Sequence, residues 1–144
     1  MKTIIGNSRL IFDETSMKEF DFVASLVKVD SFIEQSQKLT RANGNSYIYF
    51  FASSLDEELF TSTSCWVGRE VIGFSPLDLI EDLGLATKDF DRGEIHSFDG
   101  PESLNFHELF KLEQEIRDEN PFDSTWRVKI NVKNNSTFAL QFWE

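Results

Sequence analysis

Along residues 126–133 apolar and polar side chains alternate without a break. Trp126, Val128, Ile130 and Val132 fall on one face, and Arg127, Lys129, Asn131 and Lys133 on the other. A period of two is the mark of a half-buried strand. Asn134-Asn135 reads as a two-residue turn and residues 137–143 return, so the pattern predicts a C-terminal hairpin with one dry face and one wet, basic face. Residues 46–52 form a denser apolar and aromatic run, which predicts a central strand. Residues 59–67, rich in Thr and Ser, predict another, turned by Gly68-Arg69-Glu70 into a short strand over 71–74. Near the start, residues 3–5 and 9–12 flank Gly6-Asn7-Ser8 and predict a short hairpin.

Helical signals alternate with these. Ser16-Met17-Lys18-Glu19 has the form of a capping box, followed by Phe20, Val23 and Val27 at helical spacing. A second box at Ser31-Phe32-Ile33-Glu34 allows one kinked helix or two shorter ones, ending near Leu39, and Asn43-Gly44-Asn45 then stops the element. The β-branched content of residues 22–29 keeps a strand there as the alternative. Ser75-Pro76-Leu77-Asp78 predicts a helix start, with Leu77, Ile80 and Leu83 on one face and Gly84 as its stop. Asn105-Phe106-His107-Glu108 opens a further helix that Asn120-Pro121 ends. Between these two helices, residues 86–101 read as a long, acid-rich connector. The fold class that follows is α+β: a mainly antiparallel sheet with a C-terminal β-hairpin, packed against three or four helices. An α/β layer with some parallel pairing is the alternative.

Composition narrows the class. The 144 residues suit a single globular domain, residues 1–144. One cysteine, Cys65, rules out an intrachain disulfide. No apolar run reaches the length of a signal-peptide core or a membrane span, so a cytoplasmic location is expected. Fifteen of the aromatic residues are Phe, which brings large apolar area and no polar handle, and predicts a Phe-rich core.

Charge changes the picture most. Residues 54–123 carry 18 acids against five bases, a net of −13, within a chain whose total is −11. A field of that sign steers basic partners inward and repels phosphate, so nucleic acid and anionic membranes are not expected partners. Motif searches find no phosphate-binding glycine loop, no nucleophile elbow and no zinc-protease helix, and no cofactor is implied. One Cys with His96 and His107 is too few for a thiolate zinc site. Asp89-Phe90-Asp91-Arg92-Gly93-Glu94 begins like a calcium loop, but its glycine falls one position early and Gly100 stands where the bidentate Glu belongs. The carboxylate pairs Asp56-Glu57-Glu58, Glu81-Asp82, Glu113/Glu115 and Asp118-Glu119 fall on expected solvent faces. Cys65, in a Thr- and Ser-rich strand, reads as structural.

The function that fits this profile is a non-catalytic binding protein that neutralises a basic protein partner. Its contacts would be Asp56, Glu57, Glu58, Asp89, Asp91 and Glu94, with Asp118, Glu119 and Asp123 as a second group and Phe90 and Phe98 as apolar anchors. In size, acidity and lack of catalytic motifs the chain resembles the immunity proteins of contact-dependent growth inhibition. The resemblance implies a nuclease-type toxin domain as partner and carries over no residue. The alternatives are a small enzyme using a carboxylate pair or Cys65, and an adaptor or structural subunit.

Overall fold

The computed structural model describes residues 1–103, 105–131 and 137–144. Among the described residues the architecture is α+β, with eight strands in one antiparallel sheet and four helices. In chain order the strands are β1 (Lys2–Ile5), β2 (Ser8–Ser16), β3 (Thr40–Phe50), β4 (Ser64–Gly73), β5 (Ala86–Phe90), β6 (Gly93–Asp99), β7 (Trp126–Asn131) and β8 (Thr137–Phe142). The helices are α1 (Phe22–Gln35), α2 (Glu57–Ser62), α3 (Leu77–Asp82) and α4 (Phe106–Glu119). None of the described helices is long and apolar enough to cross a membrane.

The sheet order, β1-β6-β8-β7-β3-β4-β2-β5, puts β1 at one edge and β5 at the other. Two short links tie those edges together. Only Gly6-Asn7 separates β1 from β2, and only Asp91-Arg92 separates β5 from β6. The pairing keeps one register through both links: Lys2 faces His96, Ile5 faces Gly93, Ser8 faces Phe90 and Phe12 faces Ala86. Residues 2–16 therefore run as one kinked strand along residues 86–99, with Asn7 Oδ1 accepting the Arg92 amide at 2.7 Å across the kink. Because β2 also pairs β4 and β6 also pairs β8, the hydrogen-bonded ladder returns on itself. The sheet is a closed antiparallel barrel of six runs, which removes most of its free edges.

All four helices pack on the outer face. Leu109 and Ile116 of α4 and Phe60 of α2 meet Ile48, Phe50, Trp126, Val128 and Leu140. Val29 and Phe32 of α1 and Ile80 of α3 meet Ile11 and Val71. The inner face has no helix, yet Leu10, Phe12, Tyr47 and Tyr49 are each at most 4% exposed. That burial comes from the sheet curving over itself.

Several expectations are corrected here. The N-terminal hairpin does not form, since β1 and β2 lie in line. The acid-rich connector is instead the strand pair β5 and β6. Residues 57–62 are helix: Asp56 caps it by accepting the Leu59 amide at 3.2 Å, and Glu57 and Glu58 suit the positive end of its first turn. Ser16 does accept the Glu19 amide, but α1 starts later, on the cap made by Asp21 to the Ala24 amide, and runs unbroken through Ser31 to Gln35. Asn43-Gly44-Asn45 sits inside β3, at a register shift between Ala42 and Ser46 where Gly44 takes φ 92°. Gly68-Arg69-Glu70 does not turn. A Cβ on Gly68 would stand 2.1 Å from the Ile11 carbonyl oxygen, so glycine lets β2 and β4 approach and the strand continues. The helical preference for residues 22–29, the helix starts at residues 77 and 106, the stop at Gly84 (φ 69°) and the two strands of the C-terminal hairpin all agree with the sequence. The expected Asn134-Asn135 turn lies outside the described residues.

Gly68→Ala should destabilise the chain by about 1–3 kcal/mol through overpacking. Gly6→Ala, where a Cβ meets nothing within 4 Å, should change stability little. Urea denaturation of the two variants checks the contrast.

Candidate functional site

The alternation along β7 sends Trp126, Val128 and Ile130 outward to the helices and Arg127 and Lys129 inward. The face expected to be wet is thus the barrel interior, and Arg127 is only 2% exposed. Its Nε donates to Gln141 Oε1 at 2.6 Å and its Nη1 to the Tyr49 hydroxyl at 2.7 Å. Gln141 is held in turn by donating Nε2 to Ser97 Oγ at 3.4 Å. The guanidinium carbon lies 4.3 Å from the Tyr47 ring centroid and 5.5 Å from that of Trp143. Arg9, Arg69 and Arg117 each bind a carboxylate. Arg127 has no ion-pair partner among the described residues, and its Nη2 makes no hydrogen bond there. A guanidinium keeps its proton in proteins, so this is a permanent charge in a poorly solvated place, held by neutral dipoles and ring faces.

Beside it opens a cavity of about 360 Å³ lined by Arg127, Lys129, Tyr47, Glu70 and Gln141, with Asn43 and Asn45 at one side and residues 3–8 at another. Glu70 Oε1 accepts from Asn43 Nδ2 at 2.8 Å, and Oε2 accepts from the Tyr47 hydroxyl at 3.3 Å. Burial pushes the Tyr47 phenol well above its ordinary range despite the opposing pull of Arg127, so it stays a donor to Glu70. The cavity therefore combines two cations, one carboxylate and several amides on rigid strands, an arrangement suited to binding a small organic anion. The sequence does not mark these residues as a site: the period of two puts Arg127 and Lys129 on the face expected to be wet, and Gly68 beside Glu70 suggests a turn. The Tyr47-x-Tyr49 spacing on the neighbouring strand was the available signal, since it places two amphipathic rings on the same side as Arg127.

None of the acidic contact residues that the charge pattern points to lines this cavity. Asp56, Glu57 and Glu58 cap α2, and Asp118 and Glu119 end α4, all exposed. Asp89 is held by Arg9 at 2.7 Å, a hydrogen bond that lowers its carboxyl below the ordinary value. Glu94 lies 3.5 Å from Lys2, while Asp91 and Asp123 are exposed. Phe90 points inward and stacks on Tyr49 with centroids 5.2 Å apart, and Phe98 packs against Phe142 on the helical side.

Glu113 departs from the expected solvent face, being 0% exposed. It accepts from Ser53 Oγ at 2.8 Å, the Ser54 amide at 3.0 Å, Ser54 Oγ and Arg117 Nε. Arg117 then donates to the carbonyls of Phe122, Asp123 and Ser124, so one ion pair fastens two loops to α4. The spacing Leu109, Glu113, Ile116 was the missed signal for an inward face. A cavity of about 510 Å³ nearby is lined by Ser54, His107, Glu57 and Lys111 among others. It offers no activated nucleophile: the carboxylate that Ser54 Oγ donates to, Glu113, is committed to Arg117, and exposed His107 makes no side-chain hydrogen bond among the described residues. Cys65 is 1% exposed, and burial pushes its thiol up to about 12, which removes it as a nucleophile.

No protein-family model and no curated protein sequence matches the chain. Solved structures do. Two chains, both described as hydrolases from Listeria innocua, align over 99% of this chain and 89% of their own. Their TM-scores are 0.53 and 0.51 at 10% and 13% identity. At such identities the likeness establishes the fold alone. The expectation of a non-enzymatic immunity protein or toxin inhibitor is corrected on this finding, since two chains that share the architecture are described as hydrolases.

Glu113→Ala should cost about 3–5 kcal/mol by leaving Arg117 buried and uncompensated, and thermal or urea unfolding reads that loss. Cys65 should resist iodoacetamide at mildly alkaline pH, where an ordinary thiol reacts, and become modified only when urea unfolds the chain. Alkylation followed by mass spectrometry checks it.

Proposed function

We propose that this chain is a small hydrolase that takes an anionic substrate into the Arg127 end of its barrel. The observation that carries the reading is the buried Arg127 guanidinium, without an ion-pair partner among the described residues and sharing its cavity with Glu70. A permanent charge held this way costs several kcal/mol in desolvation, part of which an entering anion recovers. A charge-assisted hydrogen bond from Arg127 to a substrate carboxylate contributes about 1.5–3 kcal/mol. That two chains of the same architecture are described as hydrolases supports cleavage over simple storage.

The chemistry needs one base and one source of positive potential. Glu70 removes a proton from water as the water oxygen attacks the carbonyl carbon of an ester. Lys129 stabilises the negative charge that develops on the carbonyl oxygen, while Arg127 holds the substrate's anionic group. The bond to the leaving oxygen then breaks, and that oxygen takes the proton from the Glu70 carboxyl, so ester and water become acid and alcohol. Asn43 and Tyr47 hold Glu70 by one hydrogen bond on each oxygen and leave a lone pair free for water.

Mono-4-nitrophenyl succinate should be cleaved in preference to neutral 4-nitrophenyl acetate. Glu70→Gln should lower kcat by about 10²–10⁴-fold with KM little changed. Lys129→Met, at a half-buried mouth position, should slow the anionic ester, and Arg127→Met should erase the preference between esters, with thermal unfolding confirming that each variant folds. Wild-type turnover in Glu70→Gln, or no preference for the anionic ester, refutes the reading.

A further inference from the structure

Besides the Arg127 cavity, the barrel holds another, of about 350 Å³, which opens at its other end and is walled by Tyr49, Phe51, Trp66, Phe90 and Trp143. Strand positions fix its relation to the first. On β3 and its exit, Asn45 borders the first cavity and Phe51 the second; on β4 the corresponding residues are Glu70 and Trp66; on β7 and its approach they are Lys129 and Thr125. The Arg127–Tyr49 pair stands between the two in strand position.

The rings are held by their neighbours. Phe90 stacks on Tyr49, Trp66 stacks on Phe12 at 4.1 Å and meets Phe51 edge-on at 4.7 Å, and the indole N–H of Trp66 is fixed by donating to Glu14 at 2.9 Å. Trp143 tilts against Tyr49 at 6.1 Å. A preformed aromatic wall of this kind takes a flat ring with little ordering cost.

The rim supplies the rest of the specificity. Lys88, Asp123 and Glu144 border the cavity. Glu144 is already engaged, 2.7 Å from His96 Nε2 and 3.7 Å from Lys2. The exposed side chains of Lys88 and Asp123 form no ion pair and no hydrogen bond among the described residues; Lys88 acts on Asp89 only through space, since Asp89 is held by Arg9, so the rim offers one charge of each sign for direct pairing. A purely cationic ligand in the aromatic cage is disfavoured, because the Arg127 guanidinium already lies 5.7 Å from the Tyr49 centroid and 5.5 Å from that of Trp143. A purely anionic ligand meets the Asp123 carboxylate.

We infer that this cavity binds a small aromatic zwitterion, of the aromatic amino-acid class. Its ring lies among Trp66, Phe90 and Trp143, its carboxylate pairs with Lys88, and its ammonium pairs with Asp123. The inference does not rest on the hydrolase reading, since it uses neither Glu70 nor the anion cavity.

Titration of the full chain with L-phenylalanine, followed by tryptophan fluorescence, tests it, because Trp66 and Trp143 line the wall and phenylalanine does not absorb where indole is excited. A saturable change is expected. Phenylacetate and phenethylamine, each lacking one charge, should bind at least roughly tenfold more weakly. Lys88→Met and Asp123→Asn should each weaken L-phenylalanine by a similar factor, and Glu70→Gln should leave it unchanged. Absence of saturation, equal binding of the three compounds, or indifference to both rim substitutions overturns the inference.

Discussion

The constraint on which the molecule depends is the kinked pairing of residues 2–16 with residues 86–99. The two runs pair with each other along their length, β1 with β6 and β2 with β5, and the other sides of β2 and β6 hydrogen-bond to β4 and β8. Gly6-Asn7 and Asp91-Arg92 bend at the same level, so the ribbon turns a corner without losing register. Without that corner the sheet would be an open layer with helices on one side and water on the other. With it, the second face becomes an interior, and side chains that alternation places opposite the helices lose solvent without meeting a helix.

Closure also explains why the two buried arginine systems differ. Arg117 lies on the helical side, beside a carboxylate that is itself wholly buried, and its remaining donors hold loop carbonyls. That network is internally satisfied and serves structure. Arg127 lies on the barrel side, where its bonds go to an amide oxygen and a phenol and the nearest rings supply only quadrupoles. Both guanidinium groups are largely withdrawn from water, Arg127 the more so, but one charge has its counter-ion built in and the other has none among the described residues. The anion cavity follows from that difference. The aromatic cavity follows from the same closure at the other end, where the exit of β3 together with β4 and β5 brings Phe51, Trp66 and Phe90 to one mouth.

The negative field of residues 54–123 takes on a different meaning in three dimensions. Part of it is local helix chemistry at Asp56, Glu57 and Glu58, part is paired on the surface at Asp89 and Glu94, and one acid, Glu113, is inside. A sum of charges along the chain does not separate these roles, because it counts a capping carboxylate, an ion-paired one and a buried one alike.

Where signals were local, the sequence determined the outcome. The alternation of residues 126–131, the aromatic run of residues 46–50, the Asn105 cap and the Gly84 stop each act within a few residues, through side-chain period or one backbone conformation. The sequence also determined that Arg127 and Lys129 face away from Trp126 and Val128. It did not determine that the face they occupy is dry. That was decided by strand pairs as far apart in the chain as Phe12 and Ala86 or Lys2 and His96, which close the barrel and turn a polar stripe into a lined cavity. A strand's period sorts its side chains into two sets, and only the partners that arrive from elsewhere in the chain settle which set meets water.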